Sequence, residues 1–380
     1  VQTFSFSIPQ NVIFGKGSLR ELPKAAKRLQ KSRAFIISGP HLQKMGMVEE
    51  CRDALRAAGI ESEAFTQTEG NPGTGTVERA AESYKSSGAD FIVALGGGSP
   101  LDVAKAAGIL AVYGGKITEY EGAGKVPGSI VPIIAVPTTA GTGSEVTPFS
   151  VITDHDRSYK LSVSSSYLLP ACAILDPELI VSVPKETAAA CGVDAMVHAL
   201  EAYISLASSP YSDLFAQKAL QLIGKSIRTY VSDRKRETEA MMLGSLFAGI
   251  AFSHARLGNV HAMSHPVSAC FNVPHGVANA ILLPAVVEYN APTDQGKYYE
   301  IYQCIESRPI PEEKFYPCML TQALRLLNAQ LGIPRSLRET GVRTENFEAM
   351  AEDAMKSGNI AVNPRKTTKA DVIELYNKAF

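Results

Sequence analysis

Residues Phe91 to Val112 read FIVALGGGSPLDVAKAAGILAV, a five-residue apolar run, three consecutive glycines and then a helical pattern. An unbroken apolar run of this length, bounded by turn residues, marks a strand buried on both faces, and a helix directly after it returns the chain for a parallel neighbour. Such a segment commits its surroundings to a parallel sheet covered by helices. The same alternation recurs nearby. Ala34 to Ile37 reads as a strand, Val48 to Ala58 as a helix ending before Gly59, Val77 to Ser87 and Leu101 to Val112 as helices, and Ile130 to Val136 as another buried strand. The first half is therefore expected to be a doubly wound α/β domain. From about Pro184 the period changes to apolar residues every three or four positions, over 185–205, 211–231, 235–256 and 317–331, and strand signals largely disappear. Two prolines and a short apolar run in DPELIVSVP, Asp176 to Pro184, punctuate the switch. The expected organisation is an α/β domain over 1–182 and an all-α domain over 183–380.

Charge excludes some functions. Thirty-seven basic residues against 38 acidic ones leave a formal net charge of -1, so no overall field collects nucleic acid or an anionic membrane. Mean hydropathy is +0.01 and no apolar run approaches the roughly 18 residues of a bilayer span, which reads as a soluble chain. The N-terminal VQTFSFSIPQ has no basic segment followed by an apolar one, so no signal peptide is expected. The six cysteines are scattered without a C-x-x-C pair, as in a reducing compartment, and a cytoplasmic location is expected.

The glycine run carries a binding prediction. Gly96, Gly97 and Gly98 let a ligand approach the backbone, and Pro100 sits near the helix start, where its missing N–H costs nothing. The free N–H groups and positive dipole end of that helix then suit an anion such as a pyrophosphate. A second polar loop, Pro137 to Thr147 (PTTAGTGSEVT), follows the next buried strand, and loops at the carboxyl ends of parallel strands are where such sheets bind ligands.

Histidines are unevenly placed, with His254, His261, His265 and His275 in one short stretch. Asp194 and His198 stand four apart in a helical segment and share a face, and His261 and His265 repeat that spacing, with His275 expected on a loop before Gly276. One Asp with three His offers a divalent cation an N3O shell of borderline hardness, suited to Fe2+ or Zn2+.

These residues lie within longer stretches, NVIFGKGSLRELP, GGGSPLDVAKAAG, PTTAGTGSEVTPFSVITD, LPACAILDPELIVSVP, TAAACGVDAMVHALEAYIS, LGNVHAMSHPVSACFNVPHGVANAILLP and NPRKTTKADVIELYNKAF. Along essentially its whole length the chain resembles the iron-containing (group III) alcohol dehydrogenases. The resemblance implies a Rossmann-like N-terminal domain, a helical C-terminal domain as in the dehydroquinate synthase-like fold, and a cleft between them for NAD or NADP and one divalent metal. Carried over by position, the metal ligands are Asp194, His198, His261 and His275. Gly97, Gly98, Ser99, Asp102, Thr138, Thr139, Thr142, Thr147 and Lys160, with Asn71 and Gly39, line the dinucleotide. His265 matches a histidine that lies near the substrate and is not a ligand, and it is the expected catalytic residue, passing the hydroxyl proton towards solvent. A homodimer is expected, with no nucleic-acid or membrane partner.

The implied reaction is hydride transfer between NAD(P)(H) and a small alcohol or aldehyde, with the metal as Lewis acid on the substrate oxygen. Phe149, Val151, Phe252 and Leu257 match positions facing the metal and are mostly apolar, which favours short aliphatic substrates. Arg256 and His155 suggest an alternative, a small anionic aldehyde on the same scaffold; a dehydroquinate-synthase-like lyase is a more remote one. Three departures stand out. Ser38-Gly39-Pro40 stands where many members have Thr-Asp-Lys, so no acid meets the ribose and NADP(H) should be accepted, with Ser38 a candidate phosphate donor. Cys191 stands where a small residue is usual and is expected to pack. His254 and Arg256 add polar groups that the family pattern does not explain.

Overall fold

Residues 4, 6, 8, 10–306 and 310–380 are described by the structure, a computed structural model. The chain forms two compact units, one of Ser7–Thr139 with Ser144–Val181 and one of Val1–Phe6, Ala140–Gly143 and Ser182–Phe380. The first is α/β. Its strands are β1 (Asn11–Phe14), β2 (Arg33–Ile37), β3 (Glu61–Phe65), β4 (Phe91–Gly96), β5 (Gly122–Ala123), β6 (Ile133–Pro137), β7 (Phe149–Asp154), β8 (Tyr159–Ser164) and β9 (Cys172–Leu175). Its helices are α1 (Leu22–Arg28), α2 (Pro40–Lys44), α3 (Met47–Ala57), α4 (Thr74–Ser87) and α5 (Gly98–Tyr113).

Six strands form one sheet in the order β1-β9-β6-β4-β2-β3, and every pairing in it is parallel. Alternate residues of the central strands feed opposite cores. Phe35, Ile37, Ile92, Ala94, Ile133 and Ala135 lie on one side, and Ala34, Ile36, Phe91, Val93, Leu95 and Ile134 on the other. With both faces covered, the period-two pattern of a strand collapses into a continuous apolar run. After β2 the chain moves outward to β3, and after β4 it moves the other way to β6, so the carboxyl ends of β2 and β4 diverge. That divergence is the topological switch point where open parallel sheets bind ligands.

The structure also holds strands that the apolar pattern did not reveal. Strand β3 (ESEAF) sits at the sheet edge, pairs only with β2 and is largely exposed, so it needs no apolar run. Strands β7 and β8 form an antiparallel hairpin that, with β5, makes a separate three-stranded sheet. The expected strand from Ile130 begins at Ile133, and the expected helix from Leu101 begins earlier, at Gly98.

The second unit is helical, with α6 (Lys185–Ile204), α7 (Pro210–Ser232), α8 (Thr238–Ala255), α9 (Asn259–Phe271), α10 (His275–Asn290), α11 (Lys297–Ile305), α12 (Pro317–Leu331), α13 (Phe347–Lys356) and α14 (Lys369–Ala379). No single helix among the described residues is long and apolar enough to cross a membrane. Between α8 and α9 the axis turns by 105°. Arg256, at φ 61°, makes the break that ends α8.

Candidate active site

Three helices of the helical unit bring one acid and three histidines together. Asp194, His198 and Glu201 follow one another at i, i+4 and i+7 on α6, which aligns them on one face. The turn after α8 starts α9 two residues before His261. His275 is the first residue of α10, not part of a loop as expected, because the Pro274 carbonyl already accepts the N–H groups of Val277 and Ala278. Gly276 lets that helix start press against α6, since a Cβ there would fall 2.3 Å from the Ala190 carbonyl oxygen.

The result is a convergence on one carboxylate oxygen. Asp194 Oδ1 lies 3.9 Å from His198 Nε2, 3.7 Å from His261 Nε2 and 4.0 Å from His275 Nε2. Two ligands on a tetrahedral cation with ~2.1 Å bonds stand ~3.4 Å apart. The separations therefore need only a few tenths of an ångström of closure. The ligand atoms of Asp194, His261 and His275 fall within 4.8 Å of one another. A stand-in marks the centre: Asn279 Nδ2 lies 2.6 Å from Asp194 Oδ1, 3.1 Å from His261 Nε2 and 3.1 Å from His275 Nε2. One polar atom contacting a carboxylate oxygen and two imidazole nitrogens occupies the place a cation would take, and the donor set is borderline.

Each histidine is held from behind. His198 Nδ1 is 3.2 Å from the Gly141 carbonyl oxygen, His261 Nδ1 2.6 Å from Glu201 Oε2 and His275 Nδ1 3.5 Å from Ser264 Oγ. Burial disfavours charge on Asp194, but His198, His261 and His275 outweigh it and hold the carboxyl well below the usual carboxylate range. Burial pushes His198 down to about 4, partly offset by Asp194. Burial acts the same way on His261, yet its bonds to Asp194 and Glu201 prevail and raise it to about 9. His265 is half-buried beside the cluster, its ring 5.3 Å from that of His275 and 6.3 Å from that of His261. Phe252 stacks on His198 at 4.4 Å.

In the α/β unit the glycine turn and the threonine loop leave adjacent strands, paired through Gly96 and Pro137. Thr138 N–H donates to the Gly96 carbonyl at 3.0 Å. Gly97 precedes α5 without any side-chain cap, and Gly97, Gly98 and Ser99 are half-buried. A Cβ on Gly97 would lie 3.1 Å from Thr139 Oγ1, a buried oxygen without a protein partner. An uncapped helix start beside an orphaned hydroxyl fits a phosphate-bearing ligand. Lys160 Nζ donates to Asn71 Oδ1 at 2.8 Å, so these two candidates also meet.

Asp102 and Thr147 are engaged by the protein itself. Asp102 accepts from Ser144 Oγ at 2.8 Å and from Val151 N–H at 3.2 Å. Beneath them the fully buried Lys105 reaches the carbonyls of Ser144, Thr147 and Phe149 at 2.7, 2.9 and 2.8 Å, and the hydroxyls of Ser144 and Thr147 at 2.9 and 3.4 Å. Thr142 lies half-buried in the short stretch that belongs to the helical unit.

Comparison with known proteins decides the family. Residues 9–177 match the family model described as iron-containing alcohol dehydrogenase, and residues 188–380 match the C-terminal model of the same family. The chain belongs to the iron-containing alcohol dehydrogenases. It is 36% identical over 382 residues to 1,3-propanediol dehydrogenase of Citrobacter freundii, covering 99% of each chain. A solved 1,3-propanediol oxidoreductase superimposes with a TM-score of 0.95 at 35% identity over 100% of both chains. Sulfoacetaldehyde reductase from Bifidobacterium kashiwanohense in complex with NAD+ superimposes at 0.89 with 29% identity, covering 100% of this chain and 99% of that one. This protein is accordingly an oxidoreductase acting on alcohols.

Three residues of this alcohol dehydrogenase escaped the sequence reading. Glu201 continues the Asp194 face by one more turn, Asn279 follows His275 by four, and Lys105 follows Asp102 by three; helical spacing was the signal in each case. Other expectations shift. Ser38 is completely buried, so its hydroxyl is not displayed to a phosphate. A Cβ on Gly39 would lie 3.0 Å from the Thr68 carbonyl oxygen. The Arg256 side chain is exposed against Gly358, and the His155 ring packs against Gly73. His254 lies against Phe6, ring centres 4.3 Å apart. Cys191 packs on Gly141, where a Cβ would meet it at 2.7 Å.

Glu145 yields a pH prediction. Burial raises its carboxyl from 4.5 to about 7, against the opposing pull of its own backbone N–H and of Lys105. The folded chain thus keeps a proton that the unfolded chain releases, and this stabilisation is complete below pH 4.5 and lost as pH rises through about 7. Glu145→Gln should flatten the fall in urea midpoint across that window. Equal slopes in both proteins would remove Glu145 as the cause.

Proposed function

We propose that this enzyme interconverts a short aliphatic alcohol and its aldehyde with NAD(P)(H), and that Asp194, His198, His261 and His275 hold one divalent cation, Fe2+ or Zn2+. The observation that carries the reading is the approach of three imidazole Nε2 atoms to the single oxygen Asp194 Oδ1 at 3.7 to 4.0 Å. When bound, the cation supplies Lewis-acid polarisation of the substrate oxygen and the dinucleotide supplies or accepts the hydride. The glycine turn at Gly97 and Gly98, with Thr138 and Thr139, binds the pyrophosphate, and Lys160 and Asn71 flank the cofactor. Phe252 covers His198 and keeps water from it. His265, beside the cluster but more open than His261, relays the hydroxyl proton outward. The outward lie of Arg256 supports a neutral substrate over an anionic one. Exposed Leu206, Tyr211 and Leu214 support a homodimer, and the scattered cysteines, with no C-x-x-C spacing, support a cytoplasmic setting.

The test is a screen of short alcohols and aldehydes with both cofactors on metal-reconstituted protein, and activity without added or bound metal would defeat the reading. Cofactor choice is part of it. Gly39 follows β2 at the switch point and offers no acid to repel a 2′-phosphate. At an effective dielectric of ~20 and ~5 Å, a carboxylate there costs a like charge about 3 kcal/mol. NADPH should therefore be accepted, and Gly39→Asp should lower the NADPH/NADH ratio of kcat/KM by roughly 100-fold. Gly39→Ala controls for crowding against Thr68. An unchanged ratio in Gly39→Asp means position 39 does not face the ribose.

A further inference from the structure

We propose that Glu201 is a positioning residue that fixes the orientation and tautomer of His261, leaving Nε2 open to a cation; this rests on the ligand set proposed above. Glu201 is buried, at 2% exposure, and both of its oxygens are committed to the start of α9. Oε2 lies 2.6 Å from His261 Nδ1, and Oε1 accepts the Val260 N–H at 2.7 Å. A carboxylate only accepts, so a proton sits on Nδ1, and a cation at the cluster would take the lone pair of Nε2. On the opposite edge of the ring the Asn279 amide nitrogen lies 3.1 Å from Nε2, at the position a cation would take.

The same contact solves a helix-end problem. Gly258, which precedes α9, has no side chain with which to cap it, and the first N–H groups of a helix lack internal partners. Glu201 reaches across from α6 and takes the second of them. Gly258 makes room for this, since a Cβ there would stand 2.9 Å from Glu201 Oε1. One carboxylate thus anchors both the backbone and the ring of His261. The other two histidines have weaker anchors, a neutral carbonyl at 3.2 Å for His198 and a hydroxyl at 3.5 Å for His275. A charged acceptor at 2.6 Å holds its ring more firmly and makes the far nitrogen a better donor to metal.

The experiment measures Zn2+ affinity of the metal-stripped, full-length protein by competition with a chromophoric chelator, together with the visible spectrum of the Co2+ form. Glu201→Gln keeps the shape but turns one acceptor into a donor that faces an N–H. It should bind one Zn2+ about 10- to 100-fold more weakly, with altered Co2+ bands and unchanged NADH affinity. Ser264→Ala should lose less. Zn2+ affinity and Co2+ bands equal to those of the native protein overturn the proposal. If the native protein itself binds no Zn2+, the ligand set fails instead, so the two failures are distinct. Should Glu201→Gln fold poorly, native Zn2+-loaded protein with 15N-labelled histidine decides the matter. One ring Nδ1–H proton should resonate far downfield with its partner Nε2 unprotonated, and absence of that pair overturns the proposal.

Discussion

Asp194→Asn is expected to leave a folded protein that no longer retains metal and turns over at least about 1000-fold more slowly. The substitution keeps the side-chain shape and an oxygen for Asn279, but it removes the negative charge on which His198, His261 and His275 converge. Lewis-acid stabilisation supplies several kcal/mol to a polarised oxygen, and each 1.36 kcal/mol is tenfold in rate. NADH binding should survive, because the glycine turn lies in the other unit and shares no residue with the cluster. His265→Ala is the contrast: metal retained, rate reduced, pH profile altered. Elemental analysis and steady-state rates measure both variants. Full metal content with near-native turnover in Asp194→Asn would take Asp194 out of the ligand set.

Lys105→Met should cost on the order of 3–5 kcal/mol of stability and weaken NADH binding, although Lys105 belongs to no binding motif. Its ammonium is fully buried in the middle of α5 and has five oxygen partners between Ser144 and Phe149. Methionine fills a similar volume and satisfies none of them. It also leaves the buried carboxyls of Asp102 and Glu145 without their nearby cation. Because this ammonium ties down the chain just after Thr138 and Thr139, the threonine loop loses its floor together with the stability. A pH signature separates this from simple core damage. Burial pushes Lys105 down to about 8 from 10.5, against Asp102 and Glu145, so the unfolded chain holds the extra proton between those values. Native stability should therefore rise with pH across that window, and Lys105→Met should abolish the rise. Urea denaturation across the window and NADH fluorescence titration give the two readouts. A loss below about 1 kcal/mol with native NADH affinity would show the network to be dispensable.

Local pattern alone placed much of this protein. Strand β4, its glycine turn and α5 follow from an apolar run, three residues without Cβ and a return to helical period, all of which act over a few positions. The shared face of Asp194 and His198 follows equally from 3.6 residues per turn. Strand β3 was hidden because an edge strand buries little, and β7 because the residues it buries include Ser150, Thr153 and Asp154, so burial there wrote no apolar run.

Spacing could not separate His261 from His265; the family resemblance assigned them different roles, and the tertiary structure supplies the physical reason. Both share the i, i+4 spacing on α9, yet only His261 brings its ring nitrogen to 3.7 Å from Asp194, because the 105° turn before α9 and the Glu201 contact aim it there. Glu201 and His261 are 60 positions apart, and Asn279 and Asp194 are 85 apart. Side-chain period along one helix says which residues share a face. Which faces meet depends on how separate helices pack, through contacts such as Gly276 on Ala190, and no local pattern encodes that.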